Sequence, residues 1–494
     1  MNPQCIAYFL DKPPVEFTRK DLVRFIEKNK IQMLNFRYVG GDGKLKTLNF
    51  IIKSKAQLNH ILSAGERVDG SSLFPYIDAA SSDLYVIPRY RTAYVNPFAN
   101  IPTMDILCSY YTSSGVPLPS APEYVVCRAQ QVLKDKTGFT LEAMGELEYY
   151  ILSDTKNSYT FTNRKGYHES APFTRWENLR TEAMDLIARV GGEIKYGHAE
   201  VGHICSGNRE IEQHEIEFSP VPVEDAADGI VIAKWILRML GAKYGVTITF
   251  APKILVGYAG SGLHIHSRLV KDGKNFLIKN NKLTDNARRL IAGYLKLAGS
   301  LTAFGNTVPI SYLRLVPHQE APTKICWGDR NRSVLVRIPL GWLNTKDMIH
   351  NVNPKEKGKT AGYQESQTVE FRCPDGSADI HLLLAGLAVA ARYGLEMKDA
   401  LETARKLYVD VNIFSAEQKK LLKSLQPLPA SCGESAECLL KDRRIYEENK
   451  VFSPVVIDGL ARKLKGYHDK HLSQELYGKK AAIKKLLSEH LHCG

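Results

Sequence analysis

The sequence predicts an α+β protein in two parts: a small, strand-rich N-terminal domain and a larger catalytic domain in which strands alternate with amphipathic helices. Three observations carry that prediction. Up to about residue 112, short segments such as QMLNFRYVG and KTLNFIIK are strand-like and end in turn signals. A stretch at 113–122, SSGVPLPSAP, has the composition of a linker. Beyond it, strand and helix patterns take turns along the chain. The expected domains are 17–112 and 120–494.

The elements follow in order. Thr18-Arg19-Lys20-Asp21 reads as a helix start, with Thr as cap and an acid three residues on, leading into LVRFIEKN. The two strand-like segments are joined by Gly40-Gly41-Asp42-Gly43, a turn. Past the linker the expected elements are a helix at 123–135, a strand at 141–152, a helix at 176–190 and a strand at 194–201. A helix at 225–240, strands at 247–254 and 262–270 and a helix at 284–303 come next. The apolar run after Asp379 (GLAVAAR) reads as a buried helix backing the strand that carries Glu370. From about 395 the chain is mostly helical, with a break at 427–435.

Composition narrows the function. With 494 residues, 44% hydrophobic and 24% charged, the chain can bury a large core. Nine cysteines without a C-x-x-C pair favour neither a disulfide framework nor a zinc ribbon. The N-terminus MNPQCIAYFLDKPPVEF lacks the pattern of a secretory signal. The longest apolar run, 382–391, is half of the roughly 20 residues that span a bilayer. A soluble, cytoplasmic protein with no membrane partner is expected. The net charge is +13, but Lys and Arg are spread along the chain. Where they gather near the C-terminus, at Lys463, Lys465, Lys470, Lys479, Lys480, Lys484 and Lys485, they mingle with Leu, Ala and Glu at helical spacing. That is a solvated helix face rather than a nucleic-acid surface, and a positive balance also draws small anions.

The chemistry lies in three short stretches: Glu146-Leu147-Glu148, His264-Ile265-His266 and Glu370-Phe371-Arg372. Alternate side chains of a strand share a face. Each stretch therefore presents an ionisable pair on one side and an apolar anchor on the other. Carboxylates enclosed together need a cation or Arg partners. The segment KILVGYAGSGLHIH (253–266) sets a Gly-rich turn before the histidines, and it matches neither a Walker A loop nor a Rossmann fingerprint. A mixed carboxylate and imidazole set suits Mn²⁺, with Mg²⁺ the all-oxygen alternative. Within 311–339, Arg314, Arg330, Arg332 and Arg337 alternate with Leu, Val and Ile, suggesting half-buried strands, and Glu320 sits in a loop. Guanidinium forks grip carboxylate and phosphate. Together these features predict a metal-dependent phosphoryl-transfer site for an acid substrate.

The chain also resembles glutamine synthetase of the bacterial type-I class, from about residue 17 to the end. The matching stretches are VDGSS (68–72), GELEYY (145–150), GHAEV (197–201), EQHEIEF (212–218), FAPKILVGYAGSGLHIH (250–266), SYLRLVPHQEAP (311–322), RNRSVLVRIP (330–339) and VEFRCPD (369–375). The resemblance implies a β-grasp-like N-terminal domain and a catalytic domain whose curved antiparallel sheet is backed by helices. It implies two Mg²⁺ or Mn²⁺ ions, one held by Glu148, Glu200 and Glu215 and the other by Glu146, His264 and Glu370. Arg314, Arg332 and Arg372 match residues that hold glutamate and the transferring phosphoryl group, and the backbone of Gly260 also faces glutamate. His266, Arg332 and Arg337 match contacts to ATP. Glu320 matches the flap carboxylate, and Asp69 a residue that completes the ammonium site of a neighbouring subunit. The implied partners are L-glutamate, ammonium and ATP, in a homododecamer of two hexameric rings with active sites between subunits.

Three departures bear on substrate. Ala259 stands where the family usually has Asn, Thr368 where it usually has Arg, and about seven extra residues separate Glu200 from Glu215. Two other readings also fit the sequence: a γ-glutamyl-amide ligase using an organic amine, and a non-catalytic assembly. Tyr408 falls where some relatives are adenylylated and is read as an ordinary tyrosine. His490, His492 and Cys493 are read as a plain tail.

Overall fold

Thr18 starts the helix Arg19–Lys28 as its sequence implies: its Oγ1 accepts from the Asp21 amide, and the Asp21 carboxylate accepts from the Thr18 amide at 2.8 Å. Two of the orphan donors at the helix end are thus satisfied reciprocally. The computed structural model describes residues 3–154, 159, 165–206, 209–317, 321–341, 348–358 and 366–494.

The N-terminal domain is β-grasp-like. Its strands are β1 (Met33–Val39), β2 (Leu45–Ile51), β3 (Glu66–Asp69), β4 (Asp83–Pro88), β5 (Tyr94–Val95) and β6 (Thr103–Tyr111). They form one sheet in the order β2-β1-β6-β4-β3, with β5 beside β6 and β1 parallel to β6. Leu34, Phe36, Met104 and Ile106 of the sheet pack with Leu22, Phe25, Leu58 and Ile61 of the two helices Arg19–Lys28 and Lys55–Ala64. From alternate positions of β1, Arg37 and Asn35 satisfy the fully buried Asp105 at 2.6 and 2.7 Å. Arg37 also lies over Trp235 of the larger domain, 4.8 Å from its ring centre.

The catalytic domain is built on a curved sheet. Its strands are β7 (Thr140–Ser153), β8 (Ile194–Ser206), β9 (Arg209–Phe218), β10 (Val221–Pro222), β11 (Thr247–Thr249), β12 (Leu263–Lys271) and β13 (Lys274–Asn275). A small hairpin, β14 (Ile278–Lys279) and β15 (Lys282–Leu283), stands apart; β16 (Trp327–Asp329), β17 (Val336–Ile338) and β18 (Val369–Phe371) complete the main sheet. Its order is β16-β17-β18-β12-β7-β9-β8, antiparallel except for the parallel pair β16–β17. The helices Pro122–Thr137, Val223–Tyr244, Asp285–Lys296 and Ile380–Glu396 share one apolar core with the sheet. Leu147, Ile265 and Phe371, the middle residues of the three paired stretches, are all fully buried in it. Each contributes about 1.5–3 kcal/mol of burial.

Several expected elements differ in extent. The helix expected at 284–303 is two, Asp285–Lys296 and Ala298–Gly305, broken at Leu297. There Ser300 Oγ donates to the Leu297 carbonyl at 3.0 Å. The strand expected at 247–254 stops at Thr249, whose Oγ1 accepts the Ala251 amide at 3.0 Å, just before Pro252, which has no amide to add to a ladder. Arg314 lies on a single helical turn, Ser311–Arg314, after Pro309, and not on a strand. The C-terminal tail is anchored: Leu491 O accepts from Thr249, and Arg238 donates to the carbonyls of Cys493 and Gly494.

All nine cysteines are free thiols. Among the described residues no single helix is long and apolar enough to cross a membrane. The basic residues near the C-terminus are solvent-exposed, as the solvated-face reading expects.

Candidate active site

Register turns the paired stretches into one polar surface. Glu146 pairs with His264 across β7–β12, His266 with Glu370 across β12–β18, and Arg337 with Glu370 across β17–β18. On the other side of β7, Glu148 pairs with Glu215 and Glu146 with Glu217 of β9. Directly paired residues share a sheet face, so these side chains all project into one cavity of about 1210 Å³. Glu200 reaches the same cavity through an irregularity. Between the pairs Ala199–His214 and His203–Glu212, four steps along β8 match two along β9, and this bulge carries Glu200.

Within the cavity, Glu146 lies 2.9 Å from His264 Nδ1 and 2.9 Å from His266 Nε2. His266 Nδ1 is 2.8 Å from Thr368 Oγ1, so Thr368 fixes the ring. Arg337 Nη1 and Arg372 Nε both donate to Glu370, at 2.8 and 2.9 Å. Glu148 accepts from Gln213 Nε2 at 2.8 Å and from the Gly262 amide at 2.9 Å. His198 Nε2 lies 3.2 Å from Glu215 Oε1, and Lys195 is 2.5 Å from Glu217.

Gly260 and Gly262 are there for close approach. A Cβ at Gly260 would meet the Pro252 carbonyl at 2.4 Å, and one at Gly262 would meet Arg314 Nη2 at 2.5 Å. Arg314 thereby comes within 3.2 Å of His264 Nε2 while Nη1 donates to the Cys373 carbonyl at 2.8 Å. The loop is held from below by the Tyr150 hydroxyl on the Ala259 carbonyl, 2.8 Å, and by Gln213 on the Gly260 carbonyl, 3.1 Å.

Charge is stored unevenly. Burial and the surrounding carboxylates of Glu146, Glu148, Glu200 and Glu217 push the Glu215 carboxyl well above its ordinary range. Burial would raise Glu146 too, but His266 and His264 outweigh it and hold that carboxyl well below. At Glu370 burial is likewise outweighed, by Arg372 first. Burial lowers Arg314.

Arg332 is exposed on the cavity rim, and its carbonyl accepts from Arg372 Nη1. Asp69 does not line the cavity of its own chain. It sits exposed at the start of the turn Gly70–Leu73, where Ser71 and Ser72 donate to it at 2.7 and 2.5 Å. These serines hold its carboxyl far below the usual range. Glu320 lies outside the described residues.

Gln213, His198, Tyr167, Lys195 and Glu217 also line the cavity and were not singled out from sequence. The signal was present: Glu215-Ile216-Glu217 and His198-Ala199-Glu200 repeat the pattern of two ionisable residues around an apolar one.

Residues 120–465 match the family described as glutamine synthetase, catalytic domain, and residues 30–113 match the glutamine synthetase beta-Grasp domain. The chain belongs to the glutamine synthetase family. Curated relatives include the glutamine synthetase of Clostridium saccharobutylicum, 29% identical over 85% of this chain and 88% of the relative. That of Thermus thermophilus is 29% identical over 87% of this chain and 91% of its own. Among solved structures, glutamine synthetase of Plasmodium falciparum superposes with a TM-score of 0.73 at 20% identity, covering 92% of this chain and 97% of that one. A structure titled GmaS/ADP complex gives 0.73 at 18% identity over 93% and 99%. Family membership makes this protein an enzyme of the ligase class, with ATP- and metal-dependent amide-ligase chemistry.

The residues fit the divalent ions that such chemistry uses. Glu146, His266 and Glu370 bring donor atoms within 4.8 Å of one another, as do His198, Glu200 and Glu215, and Glu146, Glu215 and Glu217. Glu217 Oε2 is buried without a hydrogen-bond partner, beside a Glu215 whose charge is disfavoured by its neighbours. Oxygen donors crowded in this way are the set a hard cation takes. His264, expected as a donor on sequence grounds, has Nδ1 3.7 Å from Glu370 and Nε2 3.9 Å from Glu148.

Proposed function

We propose that the protein is a glutamine synthetase of the bacterial type-I class, joining ammonia to the γ-carboxylate of L-glutamate through a γ-glutamyl phosphate. The observation that carries this reading is the single sheet face on which carboxylates and histidines at the centre adjoin Arg314, Arg337 and Arg372. A plain carboxylate is a poor acyl donor to ammonia, so it must first gain a leaving group. A γ-carboxylate oxygen attacks the terminal phosphorus of ATP, and the bond to ADP breaks. Ammonium gives up a proton, ammonia attacks the acyl carbon, phosphate departs with the bonding pair, and the nitrogen passes its remaining extra proton to that phosphate.

The chain's residues divide this work. Arg332 and Arg372 hold the transferring phosphoryl group and Arg337 contacts ATP, where planar guanidinium donors match phosphate oxygens. Arg314 and the backbone of Gly260 receive glutamate, and His266 contacts ATP. A structure titled GmaS/ADP complex shares this fold, in keeping with a nucleotide ligand. Glu146, His264 and Glu370 would hold one Mg²⁺ or Mn²⁺, and Glu148, Glu200 and Glu215 the other. When bound, these ions neutralise charge on the phosphate oxygens. Glu320 takes the proton from ammonium, and Asp69 reaches the ammonium site from a neighbouring copy. Its exposed place, outside its own chain's cavity, suits that role. The assembly is a cytoplasmic homododecamer, and the domains run 17–112 and 120–494. The loop at Ala259 keeps its backbone aimed without an asparagine, because Tyr150 and Gln213 hold its carbonyls.

Isotope transfer tests the intermediate. Glutamate labelled with ¹⁸O in the γ-carboxylate should pass one ¹⁸O to inorganic phosphate for each glutamine formed. Phosphate without label would contradict an acyl phosphate, and turnover with methylamine but not ammonium would reassign the acceptor.

A further inference from the structure

Beyond the bulge that carries Glu200, the hairpin β8–β9 runs on in regular register: His203 pairs with Glu212, Ile204 with Ile211, Cys205 with Glu210 and Ser206 with Arg209. His203 and Cys205 are two apart on β8 and so share a face, and Glu210 shares it because it is the direct partner of Cys205. The sequence pattern H-x-C opposite E thus converges on one point. Glu210 Oε1 lies 3.0 Å and Cys205 Sγ 3.8 Å from the same atom, His203 Nε2. All three donor atoms fall within 4.8 Å of one another, and the side chains of His203 and Glu210 are wholly buried.

We propose that His203, Cys205 and Glu210 form a structural site for a thiophilic divalent cation of the zinc class. Bond lengths of about 2.1 Å to nitrogen or oxygen and 2.3 Å to sulfur give tetrahedral edges of about 3.4 Å for N···O and 3.6 Å for S···N. The N···O and S···N separations, 3.0 and 3.8 Å, are within about half an ångström of these, so two edges of the site already lie close to those of a filled one. Charge supports the same reading. A divalent ion with one thiolate, one carboxylate and a neutral imidazole is electrically neutral, which suits a buried place. The site is chemically unlike the catalytic cavity, whose proposed ligands carry no sulfur. It also has a function in the fold. A cross-link between β8 and β9 pins the register directly after the bulge, and with it the position of Glu200.

Cobalt spectroscopy decides the matter on the full-length protein. After chelation and dialysis, titration with Co²⁺ should produce a sulfur-to-cobalt charge-transfer band in the near ultraviolet at one equivalent per chain. Zn²⁺ should abolish it. Cys205→Ser should lose the band while cobalt still fills the cavity, and His203→Gln should lower bound zinc by one equivalent per chain. No band in the wild-type protein at saturating Co²⁺ overturns the proposal. A band that survives in Cys205→Ser overturns it equally, whether or not the other variant folds.

Discussion

Thr368 and Glu146 hold the two nitrogens of His266 at 2.8 and 2.9 Å, so the imidazole at the expected nucleotide side has one orientation. Thr368→Val keeps the shape and removes one of these bonds, worth about 1 kcal/mol. The KM for ATP should rise about fivefold with kcat little changed, measured by steady-state kinetics at saturating glutamate. An unchanged KM would mean that the ring is held by Glu146 alone. A second residue predicts a pH effect on stability. Burial, aided by Arg238, brings Lys234 down to about 7, against the opposing pull of Asp375 and Asp379. Its Nζ donates to the Gly376 carbonyl at 2.8 Å. Unfolded, the amine titrates near 10.4. Between those values the unfolded chain binds the extra proton, so this group makes stability rise with pH from about 7 to about 10.4. Below that window the cost of burying the ammonium is fully present. Urea midpoints across this range should climb more steeply in the wild type than in Lys234→Met, and parallel profiles would contradict the shift. At this scale the sequence was readable where period two puts chemistry on one face, as in Glu146-Leu147-Glu148. It was not readable for Gln213, a neutral side chain whose part appears only when β9 brings it to Glu148.

Strands place the chemistry by alternation, and their apolar residues hold it there. Ile265 sits between the two histidines and is fully buried. Ile265→Ala should cost about 2–5 kcal/mol, the range for an aliphatic core truncation. The chemical-denaturation midpoint should fall accordingly, and a shift under 1 kcal/mol would show that the sheet face is not what supports the pair. The capped helix at Thr18 and the strand β7 followed from local pattern, since caps and alternation are local. The bulge at Glu200 and the helical turn at Arg314 did not, because each answers to a neighbour. β8 bulges against the register of β9, and Arg314 is turned inward where two glycines leave room for it.

At the scale of the molecule, the two domains are joined through buried charge. Arg89 of the N-terminal domain makes a bidentate pair with Asp228 at 2.6 and 3.0 Å, and His381 lies 3.0 Å from the same carboxylate. Removing one partner of a buried pair strands the other, at about 3–5 kcal/mol. Arg89→Ala should therefore lower the unfolding midpoint markedly, whereas Lys55→Ala, which loses an exposed ion pair with Glu27, should change it little. Equal effects would contradict the clamp. The two-part division was visible in the linker composition, but the clamp was not, since its members lie 139 and 153 residues apart.

On this reading the sheet face activates glutamate with ATP for attack by ammonia. The most direct measurement is phosphate release by the purified full-length protein with ATP, Mg²⁺ and glutamate, with and without ammonium, followed by identification of the product. Release should depend on ammonium, give one glutamine for each phosphate, and be lost when Arg337 or Glu370 is replaced. Ammonium-independent release, or no glutamine despite bound metal and nucleotide, would contradict that reading.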